Sequence, residues 1–279
     1  MLLNAVTDSA IVIAQKRAHK PGASIYAGRS YVMIERSLMA FKSSNWFTFL
    51  SGFFEPVLYL LSFGLGIGQL VGGVSSNGVN VQYAAYIAPA LLATSAMNGA
   101  LYASTWNVFF KMHFGKIYQG ILSTSMGTLD VALGEIGWAL IRGFIYACAF
   151  MTVMAPLGLI PSWWGLLAIP GAVMIAFGFA SIGMALTSYF KSFQQMNWLN
   201  FFLLPMFLFS GTFYPLTVYP QWVQWMIEAL PLWQGIAMLR AFTLGELSWG
   251  LLFHIAYFTV MIVGGLIYTT KRLTALFLR

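Results

Sequence analysis

Seven carboxylates and three histidines are the whole stock of acid–base groups in 279 residues. His19, His113 and His254 stand far apart in sequence, and the one cysteine, Cys148, lies in an apolar run. General acid–base work needs a titratable group within hydrogen-bond reach of its partner. No two of these carboxylates share an evident polar segment, and no His/Cys cluster has metal-ligand spacing. The phosphate loop G-x-x-x-x-G-K-[ST] is absent, because Gly115–Lys116 lacks both the earlier glycine and the following Ser or Thr. Neither a G-x-S-x-G elbow nor an H-E-x-x-H helix occurs. Two charges stand out instead. Glu55 precedes Pro56, and Arg142 interrupts GWALIRGFIYACAF, each in apolar surroundings. A charge inside a bilayer must pair, snorkel, be neutralised or face a polar cavity. For Glu55 two readings stand: a structural pair, with Arg142 as partner, or contact with a substrate. The residues suit passage through a membrane rather than bond chemistry, so a non-catalytic chain is expected.

The elements that hold these residues follow from composition. The chain is 59% hydrophobic and 8% charged, with mean hydropathy +0.78. Soluble domains carry about 25% charged residues, so an all-α polytopic membrane protein is expected. Runs long enough to cross about 30 Å of hydrocarbon predict six spans, at about 46–67, 82–110, 129–155, 163–190, 197–210 and 249–270. Residues 1–23 read as a cytoplasmic tail. In residues 24–45, Tyr31, Ile34, Leu38 and Phe41 recur at helical spacing, with Arg29, Arg36 and Lys42 off that stripe. Such a helix lies in the membrane interface; packing on a soluble partner is the alternative. Residues 46–279 then form the transmembrane domain.

The net charge is +7, and its distribution argues for membrane topology rather than nucleic-acid binding. Lysines and arginines gather in the first 45 residues, at Lys111, Lys116 and Lys191, and at Lys271, Arg272 and Arg279. The connections 68–81 and 156–162 have none. The positive-inside rule therefore predicts two cytoplasmic termini in a cytoplasmic membrane, with Arg240 alone on the outer side.

One stretch departs from simple spans: FFLLPMFLFSGTFYPLTVYPQWVQWMIEALPLWQGIAMLRAFTLG, residues 201–245. Pro205, Pro215, Pro220 and Pro231 each remove a backbone donor, so no single straight helix is expected. The segment stays apolar and aromatic, which predicts a helix that turns at Ser210–Gly211 into a re-entrant helical hairpin over 211–245. Broken backbone at membrane depth needs protein or a watery cavity to satisfy it. A loop lying on the lipid surface is the alternative. Phe213, Tyr214, Pro215, Trp222 and Trp225 offer aromatic faces and a fixed corner suited to an amphipathic ligand. The expected path is a groove between the first span and the broken fifth, with Glu55 beside it.

LFSGTFYP and LPLWQGIAMLRAFTLG resemble the signature of the ABC-2 type exporter permeases, at Ser210, Gly211, Pro215, Pro231, Leu232, Arg240 and Gly245. FFEPVLYLLSFGLGIG, YAAYIAPALLATSAMNGALYAST and LDVALGEIGWALIRG extend the likeness toward the lipo-oligosaccharide and daunorubicin-type exporters. Two positions depart from that pattern: Ser104 stands in place of an acidic residue and Ser125 in place of proline. The resemblance implies the membrane half of an ATP-driven exporter. It would work with a second permease copy or a paralogue, and with a separate ATP-binding subunit that holds ATP and Mg. The substrate would be a glycolipid, a lipid-linked saccharide or a hydrophobic drug.

The cytoplasmic connection 113–128 carries Ile117, Tyr118, Ile121 and Leu122 on one face of a short helix. By the same resemblance this is the segment that docks on the ATPase. Ile121→Asp is therefore expected to leave the spans folded and weaken coupling. An ion channel, a secondary transporter or a membrane-embedded lipid enzyme remain alternatives; these would show more intramembrane charge, inverted repeats or a catalytic cluster.

Overall fold

The structure is a computed structural model that describes residues 25–42, 54, 57–71, 73–76 and 79–277. The expectations for the tail 1–23 and for Glu55 fall outside the described residues. The helices are α1 (Ser30–Lys42), α2 (Val57–Val71), α3 (Tyr83–His113), α4 (Ile117–Leu122), α5 (Thr128–Met154), α6 (Trp163–Thr187), α7 (Phe193–Phe209), α8 (Gln221–Glu228), α9 (Pro231–Leu244) and α10 (Gly250–Phe277). Four of them, α3, α5, α6 and α10, are long and apolar enough to cross a membrane. The expected first span is represented by α2, and the fifth by the 17 residues of α7.

Helix α3 is the axis of the bundle. From Tyr83 to Leu101 every residue but Asn98 is buried. Its alanines at 84, 85, 88, 90, 93, 96 and 100 keep the helix slim, so that α5, α6 and α9 can pack closely around it. On the far side of α6, a Cβ on Gly265 of α10 would stand 2.8 Å from the Ser181 carbonyl carbon. Glycine there lets the two helices meet backbone to backbone.

Several expectations need correction. Pro205 does not end its helix; α7 runs through it to Phe209. A proline near the last turn removes one intrahelical bond, and the end is repaired locally: Ser210 N–H donates to Met206 O (3.1 Å) and Thr212 Oγ1 to Phe207 O (2.8 Å). Pro220 immediately precedes α8 and Pro231 begins α9, positions where a missing N–H costs nothing. The connection 68–81 is not plain loop. Helix α2 continues to Val71, and strands β1 (Gly73–Ser76) and β2 (Val79–Gln82) form an antiparallel hairpin, Gly73 opposite Gln82. The regular elements among the described residues are otherwise helical, with this one hairpin between α2 and α3. Helix α10 runs past Thr270 to Phe277 and takes in Lys271 and Arg272. In this extension Thr274 shares a 2.9 Å hydrogen bond with Thr128 of α5.

Helix α1 packs on α5. A Cβ on Gly134 would lie 2.3 Å from Met33 Cβ, so the helices touch at a spot only glycine allows. Met33 and Ser37 are buried, Ile34 and Phe41 half-buried, and the Phe41 ring lies 6.1 Å from that of Trp138. The predicted stripe is therefore split: Tyr31 and Leu38 face outward.

Candidate functional site

A cavity of about 380 Å³ opens between α2, α3 and α7. Tyr59 lines it from α2; Leu91, Thr94, Met97 and Asn98 from α3; Asn200, Leu203, Leu204 and Phe207 from α7. Among the described residues no charged side chain takes part. Thr94 donates back to Ala90 O (2.9 Å) and is satisfied by its own helix. Asn98 and Asn200 are different: both are exposed, and among the described residues neither amide has a hydrogen-bond partner. Asn98 is midway along α3 and Asn200 midway along α7. An unpaired amide against hydrocarbon costs several kcal/mol, about 4–8 on a scale where nothing can hydrogen-bond. Two such groups converging on one cavity call for water or a polar ligand there.

The wall beside the cavity is aromatic. Phe213 packs 5.0 Å from Phe63 and 5.3 Å from Phe207, and Tyr59 lies 6.0 Å from Phe63 and 6.2 Å from Phe207. Of the residues singled out in the sequence, Phe213 thus shares a wall with the cavity. Tyr214 sits at the corner and accepts a hydrogen bond from the Tyr219 hydroxyl at 2.7 Å. Pro215 leads into the single turn Leu216–Val218. Trp222 and Trp225 are 62% and 64% exposed on α8 and do not reach the cavity.

The corner itself is held by Arg240. Gly211 takes φ +69, a conformation that favours glycine. Arg240 donates from Nη2 to Gly211 O (3.1 Å) and Tyr86 O (3.3 Å). Its guanidinium lies 3.8 Å from the centre of the Tyr86 ring, a cation–π contact. The arginine that stands alone on the predicted outer side is a clamp between the corner and α3.

A second cluster lies near the far end of α3. Glu135 of α5 is buried, 2.6 Å from Lys111 Nζ and 4.0 Å from Arg36 of α1. Tyr118 of α4 is fully buried beside it, and burial, reinforced by the Glu135 charge, holds its phenol well above the ordinary tyrosine range. Asp130 accepts from the backbone N–H of Ala27 (2.5 Å), Arg29 (2.8 Å) and Gly127 (3.0 Å), and Arg29 also bonds the Ser125 hydroxyl. Two carboxylates of α5 therefore tie α1, α3 and α4 into one block.

This block changes the reading of α4. Tyr118 belongs to the chain's own packing, and Ile121 and Leu122 pack against the core. Ile117 is half-buried. The apolar face that the spacing reveals is covered within the chain at Tyr118 and in part at Ile117, Ile121 and Leu122, so Ile121→Asp would disturb the fold as well as any docking. Gln119, Gly120, Ser123 and Thr124 are the exposed side, beside Phe114, which is 69% exposed. The backbone of Lys42 ends α1. Arg142 is buried with its guanidinium 5.5 Å from the Tyr102 ring and 5.8 Å from that of Tyr146, and it donates to the Tyr146 hydroxyl (3.0 Å).

Sequence reading missed Asn98, Asn200 and the Glu135–Lys111 pair. Asn98 is a single amide in an apolar helical run, which marks it but not the neighbour it faces; Asn200, with Gln194, Gln195 and Asn197 in the same helix, and Glu135, with Asp130 nearby, were not set apart.

Residues 29–244 match the family model for the ABC-2 type transporter. The chain is 31% identical over 235 residues to nodulation protein J of Sinorhizobium fredii, covering 82% of this chain and 86% of that protein. It is 29% identical over 230 residues to nodulation protein J of Rhizobium leguminosarum bv. viciae, covering 82% and 87%. It is 25% identical over 189 residues to the inner membrane transport permease YadH of Escherichia coli, covering 66% and 68%. With four apolar helices of membrane-crossing length and a family match over most of its residues, this chain belongs to the ABC-2 type transporter family.

Proposed function

We propose that this chain is the non-catalytic permease subunit of an ATP-driven exporter in the cytoplasmic membrane. It works as a pair, with a second copy or a paralogue, and a separate ATP-binding subunit supplies ATP and Mg. The substrate is amphipathic: a glycolipid, a lipid-linked saccharide or a hydrophobic drug. The observation that carries this reading is the cavity between α2, α3 and α7, where two amides with no partner among the described residues meet an aromatic wall. The amides suit the polar part of such a substrate and the rings its apolar part. Glu55 and the exposed Trp222 and Trp225 extend the path on this reading.

The proposed topology has six spans, cytoplasmic termini, α1 in the membrane interface, and a re-entrant α8–α9 hairpin on the outer side. In a chain freed of Cys148, a cysteine at Thr217 is expected to react with an impermeant thiol reagent from outside, and one at Ser192 only from inside. Outside labelling at Ser192 contradicts this topology.

Energy arrives on the exposed side of the α4 block. Burying Phe114 fully against a partner would contribute about 1.5–3 kcal/mol, roughly tenfold or more in affinity. Phe114→Asp is expected to fold normally, because that ring is already mostly exposed, and to lose at least about tenfold in co-purification with the ATPase. Full retention of the complex would move the contact elsewhere.

A further inference from the structure

Near the C-terminal ends of α6 and α10, Arg272 presents a cation with no carboxylate beside it among the described residues. The ion pairs among the described residues both use Glu135. The Arg272 guanidinium instead lies 4.3 Å from the centre of the Tyr189 ring, and its Nε is buried without an acceptor among the described residues. The hydroxyls of Tyr189 and Tyr268 are 2.5 Å apart, and both rings are exposed. One hydrogen serves the bond between the two hydroxyls; the other is left to donate outward. Lys271 is adjacent and exposed, and Lys191 follows Tyr189 by two residues, also exposed. The cluster thus offers a fixed guanidinium fork, a free phenolic donor and two flexible ammonium groups. That set fits a phosphate diester monoanion.

The surface leading away from the cluster is apolar. Val260, Val263 and Ile267 are exposed on α10 and lead by helical spacing to Lys271. Nothing lies within 4 Å of where a Cβ on Gly264 would be, so the track is open. It continues into a groove of about 440 Å³ lined by Phe253, Ala256, Tyr257, Val260 and Met261. A soluble anion would need only the cluster. An anion with attached acyl chains uses both the cluster and the track.

We propose that the α6–α10 edge is a binding site for an anionic phospholipid. The phosphate lies on Arg272 and the Tyr189–Tyr268 pair, and an acyl chain lies along Ile267, Gly264 and Val260. Basic pockets at the ends of membrane helices bind acidic headgroups in general. This site is separate from the cavity between α2, α3 and α7, so it would hold lipid whether or not that cavity carries substrate.

The test is native mass spectrometry of the full chain from detergent micelles doped with phosphatidylglycerol or phosphatidylcholine. The wild type is expected to retain phosphatidylglycerol at least fivefold over phosphatidylcholine. Arg272→Gln is expected to lose that preference. Tyr268→Phe, which removes one exposed hydroxyl, is expected to reduce it about twofold without affecting folding. Two outcomes overturn the proposal independently of any variant. One is equal retention of the two lipids by the wild type. The other is displacement of phosphatidylglycerol by millimolar inorganic phosphate, which would make this a site for a soluble anion. Undiminished preference in both Arg272→Gln and Tyr268→Phe overturns it as well.

Discussion

Glu135→Ala is expected to cost about 3 kcal/mol and to remove most of the assembled chain from the membrane. The carboxylate is 1% exposed and holds Lys111 at 2.6 Å. Removing one partner of a buried ion pair leaves the other charge uncompensated, which costs about 3–5 kcal/mol. The low end applies here because Lys111 is 21% exposed and reaches some water. The loss is not confined to one contact. Arg36 from α1 and Tyr118 from α4 meet the same carboxylate, so its removal loosens this block and with it the exposed face of α4. Thermal melting followed by size-exclusion chromatography would read this as a drop of several degrees. The double variant Glu135→Leu with Lys111→Met is expected to recover most of it, since apolar residues of similar size replace buried pairs well. A single variant that melts like the wild type would show that the pair holds nothing together.

Asn98→Leu is expected to separate stability from transport. The asparagine is the one exposed residue in the buried part of α3, and its amide is unpaired among the described residues. Replacing it with an apolar residue removes a polar group that the described residues leave unpaired, so the chain should be at least as stable as the wild type. The same change takes away a polar contact from the cavity. On the proposed function transport should fall at least about tenfold, the loss expected when one hydrogen bond to a polar substrate goes unmade. Asn200→Leu should behave alike, and the two losses should not add, because the residues face one cavity and act on one ligand. Export rates at equal membrane abundance, beside melting temperatures, provide the comparison. Unchanged export in both variants would remove the cavity from the path.

The helices were legible in the sequence because hydropathy reports burial in lipid directly. Runs beginning near 82, 129, 163 and 249 became α3, α5, α6 and α10. Their ends were less legible. Helix α10 continues to Phe277 because Thr274 reaches Thr128 and Phe277 reaches Tyr118, contacts across more than a hundred residues. The face of α1 was misread for a related reason. Apolar spacing finds a stripe but not a partner, and the partner is chosen by the backbone approach that Gly134 permits. The same holds for α4, whose apolar face was correctly located but faces its own core through Tyr118. At the cavity, the aromatic corner could be read from Phe213. Asn98 could not, because a single amide in a helix gives no sign of which neighbour it faces. Residue Asn200 shows the same limit: its importance arises only from α3 and α7 lying side by side.

The central claim is that this chain conducts an amphipathic substrate only when an ATPase drives it. The direct measurement reconstitutes the purified chain with its ATP-binding partner in liposomes and follows a fluorescent glycolipid across the bilayer. The account predicts movement that requires ATP and Mg, ceases without the ATP-binding subunit, and falls at least about tenfold with Asn98→Leu. Movement by the chain alone, without nucleotide, or an ion current from the chain alone, would contradict it.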